Sequence, residues 1–211
     1  MEDSRGQLHL VSAILILLAA VVPVYLTVRL RDNLRKLVLV LTIFILVHAV
    51  YHIVGFFGLT ILAEGVFEPL SVAILIFFGI VYSGMTRPKY LGAKNSTAMV
   101  WTPGTLLLLM DNITTALLFV ALGIFVWLAV LSKNIKTFQF QISIFIIIWI
   151  FGEIAGILRD SGIISLSVLQ GDVGLEIHVV SMFFFSMLLW VRFYYSQRSG
   201  RRMIEGVDAT L

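Results

Sequence analysis

Residues 36–58 read KLVLVLTIFILVHAVYHIVGFFG, an apolar run with two histidines, His48 and His52, one helical turn apart. About 20 apolar residues in a helix cross the ~30 Å hydrocarbon core of a bilayer. An imidazole is costly in hydrocarbon, so an intramembrane histidine points to a functional site. At i and i+4 the two rings share one helix face and can share a metal, a haem edge or a proton.

Outward from this stretch the pattern recurs. Further apolar spans cover 8–30, 67–86, 113–132, 138–158 and 175–195. Of the 211 residues, 60% are hydrophobic and 13% charged, whereas about 25% of a soluble domain is charged. Mean hydropathy is +1.03. Too few charges remain to coat a water-facing surface. The chain therefore reads as one all-α integral membrane domain over 1–211, with the lipid bilayer as its first partner. The absence of Cys removes disulfides and thiolate chemistry. Net charge is +3, but the basic residues fall in short loops and in the tail 196–211. There they orient helices, and no nucleic-acid partner is expected. The acidic start, Met1-Glu-Asp-Ser-Arg5, lacks the basic flank of a secretory signal, so the first span reads as an uncleaved helix.

A seventh crossing is expected over 97–112, where Ala98–Asn112 is apolar but short and contains Pro103-Gly104. Place the N-terminus outside and let this segment cross. Arg29, Arg31, Arg35 and Lys36 are then cytoplasmic, as are Arg87, Lys89 and Lys94. Lys133 and Lys136 follow, and so do Arg192, Arg198, Arg201 and Arg202 in and beside a basic cytoplasmic tail. Without the crossing the last two clusters face outward, against the positive-inside rule. The expected location is the cell membrane, multi-pass, with the C-terminus inside.

An internal repeat supports the same count. A shift of 101 residues lays Asn33-Leu-Arg35 on Asn134-Ile-Lys136 and Thr42-Ile-Phe-Ile45 on Ser143-Ile-Phe-Ile146. It also lays His52-Ile-Val-Gly55 on Glu153-Ile-Ala-Gly156, and after a short insertion Glu68 matches Glu176. Two three-helix units of one orientation, 8–86 and 113–195, require an odd linker helix, here 97–112. The expected plan is seven transmembrane helices as 3+1+3, a parallel repeat of the kind found in SWEET-type transporters. Pro23 and Pro69 read as kinks, since neighbouring helices can satisfy the carbonyls a proline frees.

In this topology the ionisable groups share one depth. His48 and His52 lie in the outer half of helix 2 and Glu153 in the outer half of helix 6. Glu176 and His178 open helix 7, Glu68 opens helix 3, and Asp111-Asn112 forms the outer turn between helices 4 and 5. His48, His52, His178 and Glu153 are the expected metal ligands, with Glu68, Asp111 and Glu176 around them. His9 reads as an interfacial residue. Tyr51 points about 100° away from His52 on the helix and is not counted into the site.

Three histidines and a carboxylate suit zinc or copper, and zinc is favoured because no thiolate or thioether accompanies the imidazoles. Three protein ligands with one open position make the catalytic zinc pattern. A water activated there could attack an ester or amide, with Glu153 as general base. In kind this resembles the His-based zinc site of seven-helix membrane hydrolases of the ceramidase and adiponectin-receptor group. Their paired histidine lies in the last helix, however, whereas here the pair is in helix 2. The last span has no lysine for a retinal Schiff base. Three other readings stay open, so enzyme activity is not decided. One is a seven-helix sensor, receptor or accessory subunit acting through a membrane partner or as a homo-oligomer. Another is a small transporter with His52 and Glu153 as a coupling pair. The last is a haem protein with His52 and His178 as axial ligands.

Overall fold

The computed structural model describes the backbone of residues 2–86, 106–132, 134–160, 173–200 and 203, and side chains within 6–85, 113–132, 134–158, 177–200 and 203. In hydrocarbon every backbone N–H and C=O must be satisfied within the protein, and this chain does so with helices. They are α1 (Glu2–Arg29), α2 (Asp32–Phe56), α3, α4 (Leu106–Ser132), α5 (Phe138–Asp160) and α6 (Val173–Ser199). Helix α3 opens with the turn Thr60–Leu62, widens to a π turn at Ala63–Phe67 and continues as Glu68–Thr86. No strand occurs among the described residues. All six helices are long and apolar enough to cross a membrane. Their outer faces expose large apolar side chains such as Val28, Phe119, Val130 and Phe183, a surface suited to lipid rather than water.

Residues of special conformation sit where turns need them. At the head of α2, Asp32 has φ +53, a left-handed conformation that Asp tolerates better than most residues. Gly58, with φ +71, turns the chain from α2 into α3. At the start of α5 the Phe140 N–H donates to Thr137 Oγ1 at 3.2 Å, an N-cap of the usual kind.

The two described prolines of the spans are accommodated differently. Pro23 has no N–H for the carbonyl of Ala19, four residues back. Ser186 of α6 supplies the missing donor through its Oγ. Pro69 follows the π turn Ala63–Phe67. Its ring crowds the carbonyl four residues back, and the wider turn relieves that crowding.

Packing closes the helices into a ring in the order α1, α2, α3, α4, α5, α6 and back to α1. At one end, which carries the histidines, lie the start of α1, the end of α2, the start of α3, the end of α5 and the start of α6. His9 meets His52 there, His48 meets Ser71, and Glu153 meets His178. Helix α4 runs alongside α3 in the same direction. Its early part packs on the π turn, Phe125 stacks on Phe78, and the Leu128 carbonyl accepts from Gln139 at the start of α5. At the opposite end Tyr82 of α3 meets Phe138 of α5. Thr86 at the end of α3 and Leu106 at the start of α4 thus lie towards opposite ends of the bundle. Helices α1–α3 and α4–α6 therefore alternate in the same sense.

Two expectations need correction. The backbone is helical without a break through Asp111 and Asn112, so no turn occurs there and the helix expected from 113 starts at Leu106. Positions 106–112 of the expected linker helix belong to α4, and the rest of that segment lies outside the described residues. The side chain of Asp111 is also outside them.

Two outcomes follow from this architecture. Cysteines introduced at Ser4 and Ser199 should react with impermeant reagents from opposite faces of the membrane. The Ser186→Ala variant should lose about 1 kcal/mol of stability in detergent, because it orphans the Ala19 carbonyl. In a Pro23→Ala background the same change should be nearly neutral, since an alanine in place of the proline restores the missing N–H.

Candidate metal centre

Helix α2 supplies the centre of the site. His48 and His52 are both 0% exposed, His178 of α6 is 3% exposed and Glu153 of α5 is 8% exposed. One ring nitrogen from each of His48, His52 and His178 lies within 4.8 Å of the others. Nε2 of His52 and Nε2 of His178 are 3.1 Å apart. Two nitrogens on a tetrahedral ion with bonds of about 2.0–2.1 Å would be roughly 3.3 Å apart. The spacing fits a shared ion. Glu153 Oε1 stands 3.4 Å from His48 Nε2 and 3.5 Å from His178 Nδ1.

The neighbours of His48 suit the tautomer a metal ligand needs. Ser71 Oγ donates to the Glu68 carbonyl at 2.7 Å, so its one hydrogen is committed. Towards His48 Nδ1, 3.4 Å away, Ser71 can only accept. In the tautomer that uses this contact, Nδ1 of His48 carries the hydrogen and Nε2 has its lone pair free for a metal ion. The same division holds for His178, whose Nδ1 faces the carboxylate of Glu153 while Nε2 faces His52. Ligating histidines commonly use the second nitrogen in this way, to fix tautomer and ring orientation.

Of the groups expected here, the structure brings together His48, His52, His178 and Glu153. Glu68 is buried at the head of the α-helical part of α3 and reaches the cluster through its carbonyl and Ser71. The side chain of Glu176 lies outside the described residues. His9 corrects the expectation of an interfacial residue, because its Nδ1 is 3.1 Å from His52 Nδ1. All 4 histidines of the chain thus form one cluster. Tyr51 also packs against it, its ring centroid 4.8 Å from that of His52 and 5.4 Å from that of His48. Trp149 of α5 closes the inner side, 5.3 Å from His48. A two-residue connection between α1 and α2 sets the start of one level with the end of the other, and that count could have placed His9. Nothing in the local sequence marks Ser71 or Trp149.

Below the imidazoles, Phe44, Trp149 and Ser181 line a mostly apolar cavity of about 20 Å³, room for about one water. The haem reading does not fit this geometry. Axial nitrogens on opposite faces of an iron would be about 4 Å apart, twice a metal–nitrogen bond, and a porphyrin would have to lie between rings whose nitrogens are 3.1 Å apart.

Comparison with protein-family models, curated proteins and solved structures gives no match. Function must be argued from the site.

Removing the carboxylate tests the packing of the cluster. Glu153→Gln keeps shape and an acceptor and should unfold within about 1 kcal/mol of wild type. Glu153→Ala leaves two imidazoles facing a void and should cost about 2–4 kcal/mol. Denaturation in detergent micelles measures both, and equal losses would show that His48 and His178 do not depend on the carboxylate.

Proposed function

We propose that this chain is a seven-crossing membrane protein that binds a transition metal, zinc ahead of copper, through His48, His52 and His178 in the outer leaflet. The observation that carries this reading is the buried trio itself. Three imidazole nitrogens lie within 4.8 Å of one another in a setting where solvated histidines would gain nothing. Donors that are all imidazole, with a carboxylate adjoining, favour zinc.

The directions of the helices support the crossing count. That α3 and α4 run the same way supports a return crossing between 86 and 106, and so a count of seven. Arg29, Arg31, Arg35, Lys36, Lys136, Arg192 and Arg198 all lie towards the end opposite the histidines. By the positive-inside rule that end is cytoplasmic, the N-terminus is outside and the metal site faces out. Pairs related by the 101-residue shift support the parallel 3+1+3 repeat. His48 meets Trp149, and Phe44 with Phe145 and Ile45 with Ile146 line one cavity.

A zinc ion held this way supplies Lewis acidity. Glu153, beside two of the ligands, is the base in a hydrolytic reading of the site. Nothing among the described residues favours the carrier reading: His52 and Glu153 are at one end, and the cavity below them has a mostly apolar lining.

Metal content decides the proposal. Purified wild type should retain zinc after exhaustive dialysis, and His52→Ala should bind it at least ~100-fold more weakly, because two ligands cannot complete the shell. Metal absent from both proteins, or retained equally by both, would reduce the histidines to interhelical hydrogen-bond partners.

A further inference from the structure

We propose that His9 is a positioning residue of the metal centre: it accepts the Nδ1–H of His52 and so holds His52 Nε2 towards His178. This rests on the metal reading above. His52 uses both ring nitrogens, with Nδ1 3.1 Å from His9 Nδ1 and Nε2 3.1 Å from His178 Nε2. An imidazole that gives Nε2 to a metal carries its hydrogen on Nδ1, and that hydrogen needs an acceptor when the ring is buried. The atom in place is His9 Nδ1. His48 has Ser71 in the corresponding position, and His178 has Glu153. Each of the three ligand rings is then anchored from outside by a different helix: α3 for His48, α1 for His52 and α5 for His178.

The backbone makes room for this contact. Gly55 lies one turn after His52 in α2, and a Cβ there would stand 3.1 Å from His9 Cε1 and Nδ1. Glycine inside a helix costs about 1 kcal/mol relative to alanine, and no positive φ requires it at 55. The missing side chain is the slot in which the His9 ring lies. At Gly156, its counterpart by the 101-residue shift, no described atom lies within 4 Å of where a Cβ would stand. His9 is also only half-buried, unlike the three ligands. It suits an outer partner better than a ligand.

The test uses full-length protein in detergent with Zn²⁺ alone, its affinity read by chelator competition, and Co²⁺ as a spectroscopic probe. His9→Phe fills the slot without an acceptor and should weaken Zn²⁺ binding about 10–100-fold, with a changed Co²⁺ d–d spectrum. His9→Asn returns an acceptor oxygen and should restore affinity to within about 3-fold of wild type. Gly55→Ala displaces the ring without altering any imidazole and should weaken binding in the same direction as His9→Phe. If wild type binds zinc and His9→Phe binds it as tightly, His9 does not position the site. Should His9→Asn be as weak as His9→Phe, packing rather than the hydrogen bond is responsible, and the proposal also falls. A wild type that binds no zinc fails at the metal reading itself, before any variant is compared.

Discussion

Hydrocarbon offers an imidazole or a carboxylate no partner, and this one constraint shapes the bundle. The polar groups that α1, α2, α3, α5 and α6 bring to the membrane meet at a single end, where His9, His52, His178, Glu153, His48 and Ser71 follow one another at contact distance. Among the described residues the rest of the interior is mostly apolar, with scattered hydroxyls such as Thr42, which donates to the Val38 carbonyl of its own helix, and Ser186, which donates to Ala19 of α1. Helices α2 and α6 are not neighbours in the ring, because α1 lies between them. An ion bridging His52 and His178 would link them across that gap. Binding free energy would then appear as stability of the bundle as well as occupancy of the site.

The opposite end is held differently. Phe78, Tyr82, Phe125 and Phe138 pack there with almost no exposure. Arg192 of α6 donates to Gln141 Oε1 and to the carbonyls of Lys136 and Met203, while its guanidinium lies 5.5 Å from the centre of the Phe138 ring. A planar fork with five donors can satisfy three acceptors at once, and an ammonium in the same place could not reproduce that geometry. With this packing at the opposite end, the bundle does not rely on the histidine cluster alone for closure.

Much of this was legible in the chain. The spans stood out because their length and hydropathy answer directly to bilayer thickness, and His48, His52, His178 and Glu153 could be grouped by depth alone. What depth cannot supply is azimuth. His9 sits at the right level, but whether α1 turns that face towards α2 is a matter of tertiary packing and of the gap at Gly55. Tyr51 was set aside on its angle around α2, yet a long aromatic side chain reaches back over the neighbouring rings. Asp111-Asn112 looked like a turn because those residue types favour turns. Inside α4 the flanking apolar residues override that local preference, and the helix continues through them.

Several departures from ideal helical sequence lie near the histidines. Gly55, the π turn at Ala63–Phe67, Pro69 and the buried Glu153 all lie within or beside the cluster. Pro23, away from the cluster, is repaired by a single hydroxyl from α6. Each departure costs the fold something: conformational entropy at the glycine, a broken bond ladder at the π turn, desolvation at the carboxylate. Local departures of this kind, gathered around four imidazoles, are what a functional site in a stable fold would produce. The wide π turn has a specific consequence here, because it lies one turn before the Glu68 carbonyl and Ser71, the pair that suits the metal-binding tautomer of His48. Straightening α3 would shift Ser71 along and around the helix and remove the acceptor for His48 Nδ1–H in that tautomer.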